Sequence, residues 1–265
     1  MSAELIAAYA GGSVTQAALV ARGGVRCVPK PLRALRHPLF ALVPLLALVG
    51  VVFWLRAAPQ GADLLAKVAL LAVPLLALVA ALRTSRLALL VVVAMIVVTW
   101  RDGHSLAGQV AALGLIAASC MTLGALLVEV TPPRWLGAGV AATAAVDLVL
   151  VASGLLAPAT LALDSAGVTE SLPQLQRVEL GPLTMGYADL FLPALVGALL
   201  ATRVRTRRWV ALLTFCFALA AGSIFLVADR LPATVPVALA LLVVEGAGAI
   251  VPPWRRAADG SGRST

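Results

Sequence analysis

Eight apolar runs, each long enough or nearly long enough to cross a lipid bilayer as a helix, dominate this sequence. They lie near residues 39–55, 64–82, 86–100, 105–128, 135–158, 183–202, 209–228 and 231–251. A helix needs about 20 predominantly apolar residues to cross roughly 30 Å of hydrocarbon. The composition agrees: 62% of the 265 residues are apolar and only 12% are charged, against about half and about a quarter in soluble domains. The chain therefore lacks the polar surface of a soluble monomer, and it is far too apolar to be disordered. Trp54, Trp100, Trp135, Trp209 and Trp254 fall at or near the ends of the runs, where amphipathic rings meet the membrane–water interface. The expected fold is all-α, a polytopic transmembrane helix bundle of about eight spans.

Charge sets the expected orientation. With the first of the eight spans starting in the cytoplasm, 15 of the 20 basic residues fall inside: Arg22, Arg26, Lys30, Arg33, Arg36, Arg83, Arg86, Arg134, Arg203, Arg205, Arg207, Arg208, Arg255, Arg256 and Arg263. Arg56, Lys67, Arg101, Arg177 and Arg230 fall outside or near the outer face. That bias follows the positive-inside rule and puts the C-terminus in the cytoplasm, with a prokaryotic-type plasma membrane the expected location. The net charge of +8 is thus read as topology, with the bilayer as partner and no nucleic acid implied. Residues 1–38 are expected as a cytoplasmic or interfacial N-terminal segment. Residues 39–130 form a first membrane half, 131–252 a second, and 253–265 a short polar tail. Residues 1–21 are apolar but interrupted by Glu4, Gly11, Gly12, Ser13, Thr15 and Gln16. They read as an interfacial or packed helix, with a ninth span as the alternative. The longest link, 159–182, is net acidic and falls outside.

Metal and nucleophile chemistry has little raw material here. His37 and His104 are the two histidines, and Cys27, Cys120 and Cys216 are widely spaced; no zinc site, disulfide framework or Ser/His/Asp triad is expected. The costly residues are acids inside apolar runs, which default to functional hypotheses: Asp147 in the fifth run, Asp189 in the sixth and Glu245 in the eighth. No basic residue lies deep enough to neutralise either aspartate. Asp147 lies 11 residues before Pro158, or about 16 Å, and Asp189 six after Leu183, or about 9 Å. On adjacent antiparallel helices their carboxyls can meet and share a proton. Such a pair can activate water with one member and protonate a leaving group with the other.

The residues around Asp189 fit that role. Gly186, three positions earlier, removes side-chain bulk beside the carboxyl. Pro193, four positions later, has no N–H, so the carbonyl of Asp189 loses its helical partner. Pro236 is expected to free the carbonyl of Pro232 in the same way. Unpaired backbone groups at membrane depth must be satisfied by protein or water, or can pair with an extended peptide.

Taken together, Gly186-Tyr187-Ala188-Asp189-Leu190-Phe191-Leu192-Pro193-Ala194 resembles the GxGD motif of presenilin and signal peptide peptidase, the intramembrane aspartyl proteases. Val146-Asp147-Leu148 resembles their YD-type motif one span earlier, and Pro232-Ala233-Thr234 their PAL motif in the last span. The likeness covers roughly residues 135–251. Ala188 stands for the second motif glycine, Val146 for the tyrosine and Thr234 for the leucine. Prepilin peptidases carry a similar aspartate followed by a basic residue, which Leu190-Phe191-Leu192 does not supply. The resemblance implies a presenilin-like arrangement of the last four spans and hydrolysis of peptide bonds within transmembrane helices of membrane-protein substrates. Asp147 and Asp189 would be catalytic, Gly186, Ala188 and Pro193 motif-supporting, and Pro232, Ala233 and Thr234 substrate-binding, with no metal or other cofactor. The loop between the two aspartate spans falls outside, as in signal peptide peptidase, which points to substrates with their N-terminus inside. Two other classes remain: a proton-coupled transporter using the midplane acids, in which Glu245 lines the same cavity, and a catalytically silent scaffold of the same fold.

Overall fold

A computed structural model describes residues 3–23, 35–103, 105–165, 173–180, 183–224 and 233–250. The polar tail 253–265, Cys27, His104 and Pro232 lie outside the described residues. The fold is helical. In chain order come α1 (Ala3–Arg22), a 3-10 turn (Pro38–Leu42), α2 (Val43–Ala57), α3 (Gly61–Thr84), α4 (Arg86–Arg101), α5 (Leu106–Val130), α6 (Pro133–Ala152) and α7 (Leu156–Ser165). Strands β1 (Arg177–Leu180) and β2 (Leu183–Gly186) follow, then α8 (Tyr187–Leu199), α9 (Val204–Ile224) and α10 (Val235–Ile250). Among the described residues, four helical segments are long and apolar enough to cross a membrane: Pro38–Ala57, Gly61–Thr84, Leu106–Val130 and Pro133–Ala152. Their outward faces suit hydrocarbon rather than water: Leu46, Leu71 and Leu106 are 62%, 70% and 74% exposed.

Local chemistry sets the ends. Ser85 and Ser105 cap α4 and α5, each hydroxyl accepting the N–H three residues on, from Ala88 and Gly108, which satisfies a donor that no carbonyl of the helix can reach. Gly154, with φ +69, stops α6, because only glycine adopts that left-handed conformation without strain. The helix thus ends at Ala152, six residues short of the expected Pro158, and Pro158 falls in the first turn of α7, where its missing N–H costs nothing.

The sixth run departs most from expectation. Leu183–Gly186 is not helix but β2, antiparallel to β1 with Val178 opposite Met185 and Arg177 opposite Gly186. Alternation explains it: Val178 and Met185 are buried and Thr184 is exposed, a two-residue period that a count of apolar residues does not register. Pro236 likewise falls in the first turn of α10 rather than inside a helix reaching back to Pro232, so it opens that helix without kinking it.

The centre of the bundle is α8. Leu190, Leu192, Ala194, Leu195 and Val196 are each at most 1% exposed, and a helix apolar on every side belongs in a core. On one side its residues pack with Leu136, Val140, Val210, Val237 and Leu241 of α6, α9 and α10; on another, with Leu115, Ile116 and Cys120 of α5 and with Leu175 and Val178 ahead of it. Two glycines permit the closest approaches. A Cβ at Gly124 of α5 would sit 3.1 Å from the backbone of Leu195, and one at Gly197 would sit 2.5 Å from the carbonyl oxygen of Leu19 in α1. The N-terminal segment is therefore a helix packed into the bundle against α8 and α9. Gly197→Ala should push α1 from α8 at a cost of about 1–3 kcal/mol, read as a lower unfolding midpoint in detergent. Gly137→Ala, where a Cβ meets nothing within 4 Å, should leave the midpoint unchanged or higher.

Candidate active site

Asp189 sits at the third position of α8, not part-way down a longer helix. Its Oδ2 accepts the backbone N–H of Gly186 at 2.8 Å, so the carboxyl folds back over the start of its own helix, one arm of a capping box, and faces the positive end of the helix dipole. Gly186 is the residue just outside the helix, and a Cβ there would lie 3.5 Å from Asp189 Oδ2. The bulk that its glycine removes is thus beside the carboxyl, as expected, although the two residues do not share a helical face. Ala188 is the second residue of α8 and partly buried.

Two further contacts hold this junction. The N–H of Tyr187 bonds the carbonyl of Gln176 at 3.3 Å, tying α8 to the chain entering β1. The Tyr187 hydroxyl lies 3.0 Å from Ser119 Oγ of α5, and Ser119 also donates to Ile116 O. Cys120 Sγ, next to Ser119, approaches the carbonyl of Tyr187 at 3.9 Å.

Asp147 comes from α6 and is 6% exposed. The hydroxyl of Thr234, itself 1% exposed and one residue ahead of α10, donates to Asp147 Oδ2. A buried carboxyl without a donor is costly, and Thr234, standing where the resembling motif has leucine, supplies one. The carboxyls of Asp147 and Asp189 also interact electrostatically. With the revised helix ends, Asp147 lies five residues before the end of α6 and Asp189 two after the start of α8, about 8 Å and about 3 Å along the axes.

The carbonyl of Asp189 was expected to be orphaned by Pro193. It accepts the side-chain amide of Gln16 in α1, Nε2 to O 3.1 Å, and the same nitrogen reaches the carbonyl of Ala233 at 3.1 Å. Of the sequence-expected residues, Asp147 and Thr234 meet through side chains, and Asp189 and Ala233 are joined through their backbone carbonyls by Gln16; Pro232 is outside the described residues. Gln16, Ser119, Cys120 and Tyr187 were missed as neighbours of the site. For Gln16 a signal existed: Ser13 and Gln16 fall on one helical face with Val20, and all three are buried.

Glu245 lies elsewhere. It pairs with Arg203, ahead of α9, at 2.8 Å, with both side chains about half exposed, 47% and 60%. It is 11 residues beyond Thr234, about 16 Å along α10. Among the described residues, no cluster of His, Cys, Asp and Glu could hold a metal ion.

No protein-family model, no curated protein and no solved structure matches this chain. Thr234→Val should leave the buried carboxyl of Asp147 without its donor and cost about 1–3 kcal/mol of stability. Thr234→Ser, which keeps the hydroxyl, should cost less than half as much, both read from thermal unfolding of the purified protein.

Proposed function

We propose that this chain is an intramembrane aspartyl protease that hydrolyses peptide bonds in the transmembrane helices of membrane-protein substrates. The observation that carries the reading is the placing of two acids on packed helices, Asp147 of α6 and Asp189 of α8, linked through Thr234, Ala233 and Gln16 beside the segment that opens α10. Among the described residues neither acid is paired with Lys or Arg. Two neighbouring carboxyls that share a proton are the machinery of aspartic proteolysis.

The chemistry balances on these two groups. The ionised carboxylate takes a proton from water as the water oxygen attacks the scissile carbonyl carbon. The other carboxyl gives its proton to the carbonyl oxygen, and a gem-diol forms. On collapse the C–N bond breaks, the nitrogen gains a proton, and the pair returns to sharing one. No covalent enzyme intermediate arises.

The surroundings support a peptide substrate. Among the described residues the sheet has two strands, β1 and β2, and β2 runs directly into the helix that carries Asp189. An extended peptide can add to the edge of a sheet by backbone hydrogen bonds. The position of Glu245 favours proteolysis over proton-coupled transport, because its partner is Arg203 and it stands about 16 Å along α10 from the aspartate pair. In this reading α6, α8, α9 and α10 form the presenilin-like set of last spans. The packed α1 is a ninth crossing, the C-terminus faces the cytoplasm, and the membrane is the plasma membrane.

A reporter with a labile transmembrane segment, reconstituted with the purified protein, should be cut. Asp147→Asn and Asp189→Asn should each lower the rate by at least about 10²–10⁴-fold. Because one carboxyl must be charged and the other protonated, cleavage should pass through a maximum with pH and fall on both sides. An uncut panel of such reporters, or full activity in either variant, would remove the proteolytic reading.

A further inference from the structure

We propose that Gln16 is a positioning residue for the aspartate pair, fixing the backbone of Asp189 against the segment that holds Asp147. Its effect on cleavage rests on the proteolytic reading above; the link itself does not. Gln16 is 2% exposed. A side-chain amide has two N–H donors, and Nε2 lies 3.1 Å from each of two carbonyl oxygens, those of Asp189 and Ala233. Both partners are acceptors, so the nitrogen and not the oxygen of the amide must face them.

Each of these carbonyls has a reason to need an outside donor. The N–H that would normally bond Asp189 O belongs to residue 193, and proline has none. Ala233 precedes the first residue of α10. One amide therefore serves two carbonyls that the helices leave open.

The contacts also form a connected path between the acids. Asp147 accepts from the hydroxyl of Thr234, Thr234 is bonded to Ala233, Ala233 O accepts from Gln16, and Gln16 donates to Asp189 O. Three helices that each contribute one member are tied at one level. A bundle held by packing alone has no need of that amide. Close packing of Gly197 against Leu19 and Val20 already joins α1 to α8, two turns below. What Gln16 adds is the height of Asp189 relative to Thr234, and so the spacing of the carboxyls.

The test is a double-mutant cycle in the full-length protein, with thermal unfolding in detergent as one readout and reporter cleavage as the other. Gln16→Met keeps the side-chain length and removes both donors. Pro193→Ala restores an N–H opposite Asp189 O. The unfolding midpoint should fall with Gln16→Met in the natural background and fall by less than half as much in the Pro193→Ala background. In the cleavage arm, Gln16→Met should lower kcat at least tenfold and leave KM within about twofold, the pattern of a lost transition-state alignment. Equal midpoint losses in the two backgrounds overturn the link. Unchanged kcat in a wild type that cuts overturns the positioning role. If the wild type cuts nothing, the proteolytic reading fails separately and the midpoints alone decide the link. Should Gln16→Met fail to fold, Gln16→Glu goes through the same cycle; it donates only when protonated, so its kcat relative to wild type should rise as the pH is lowered, and a flat ratio overturns the proposal.

Discussion

A carbonyl left open inside a buried helix has to find a donor, because an apolar core offers none. Pro193 creates such a carbonyl at the residue whose side chain bears the acid, Asp189. The rest of the site is arranged around meeting that need. The amide of Gln16 comes in from α1, and its second N–H takes up the carbonyl of Ala233. For Gln16 to reach, α1 must lie hard against α8, which Gly197 allows by leaving no Cβ between the backbones. The proline, the glycine and the glutamine are thus one device spread over two helices.

A second constraint is the burial of Asp147. A carboxyl 6% exposed on a helix of a membrane bundle is retained against a large desolvation cost. Thr234 offsets part of that cost by donating to it. The leucine that the resembling motif carries at this position could not, so this departure supplies a donor that the motif lacks. Ala188 is a milder departure, since one methyl at the second residue of α8 leaves the hydrogen bond from Gly186 N–H to Asp189 in place.

How much of this was legible in the sequence follows from what each signal measures. Apolar run length located α2 to α6 and α8 to α10, because bilayer thickness demands it, but not α7, most of which lies in the stretch read as a link. The two aspartates stood out because acids are rare among leucines. The open carbonyl of Asp189 was readable from Pro193 alone, since the missing N–H is a covalent fact. Its donor was not, because Gln16 lies 173 residues away and nothing local ties the two. The strand β2 was hidden inside an apolar run, for length and hydropathy carry no period. The end of α6 was hidden as well, since Gly154 is one glycine among 22 and only its φ shows that it stops a helix. Both misreadings bear on the same quantity, the depth of the acids. Correcting them reduces the offset between Asp147 and Asp189 from about 7 Å to about 5 Å along the helix axes.

The break of the sixth run into strand and helix also sets where Asp189 stands. With 13 residues, α8 is about 20 Å long, short of the roughly 30 Å of hydrocarbon. A strand of four residues adds about 13 Å. A continuous helix of that total length would cross as well, but it would seal Asp189 among side chains on a cylinder whose backbone is closed to any partner. Starting the helix at Tyr187 puts Asp189 in its first turn, where its carboxyl accepts the N–H of Gly186, and places strand β2 immediately before it. The strand's backbone pairs with β1, as a strand buried in protein requires. Hydrolysis within a membrane needs water, a carboxyl pair and an unwound peptide at one depth. In the proposed reading, a junction of strand and helix buried in protein would set the acid beside a stretch of extended backbone, whereas an unbroken helix would offer the acid alone.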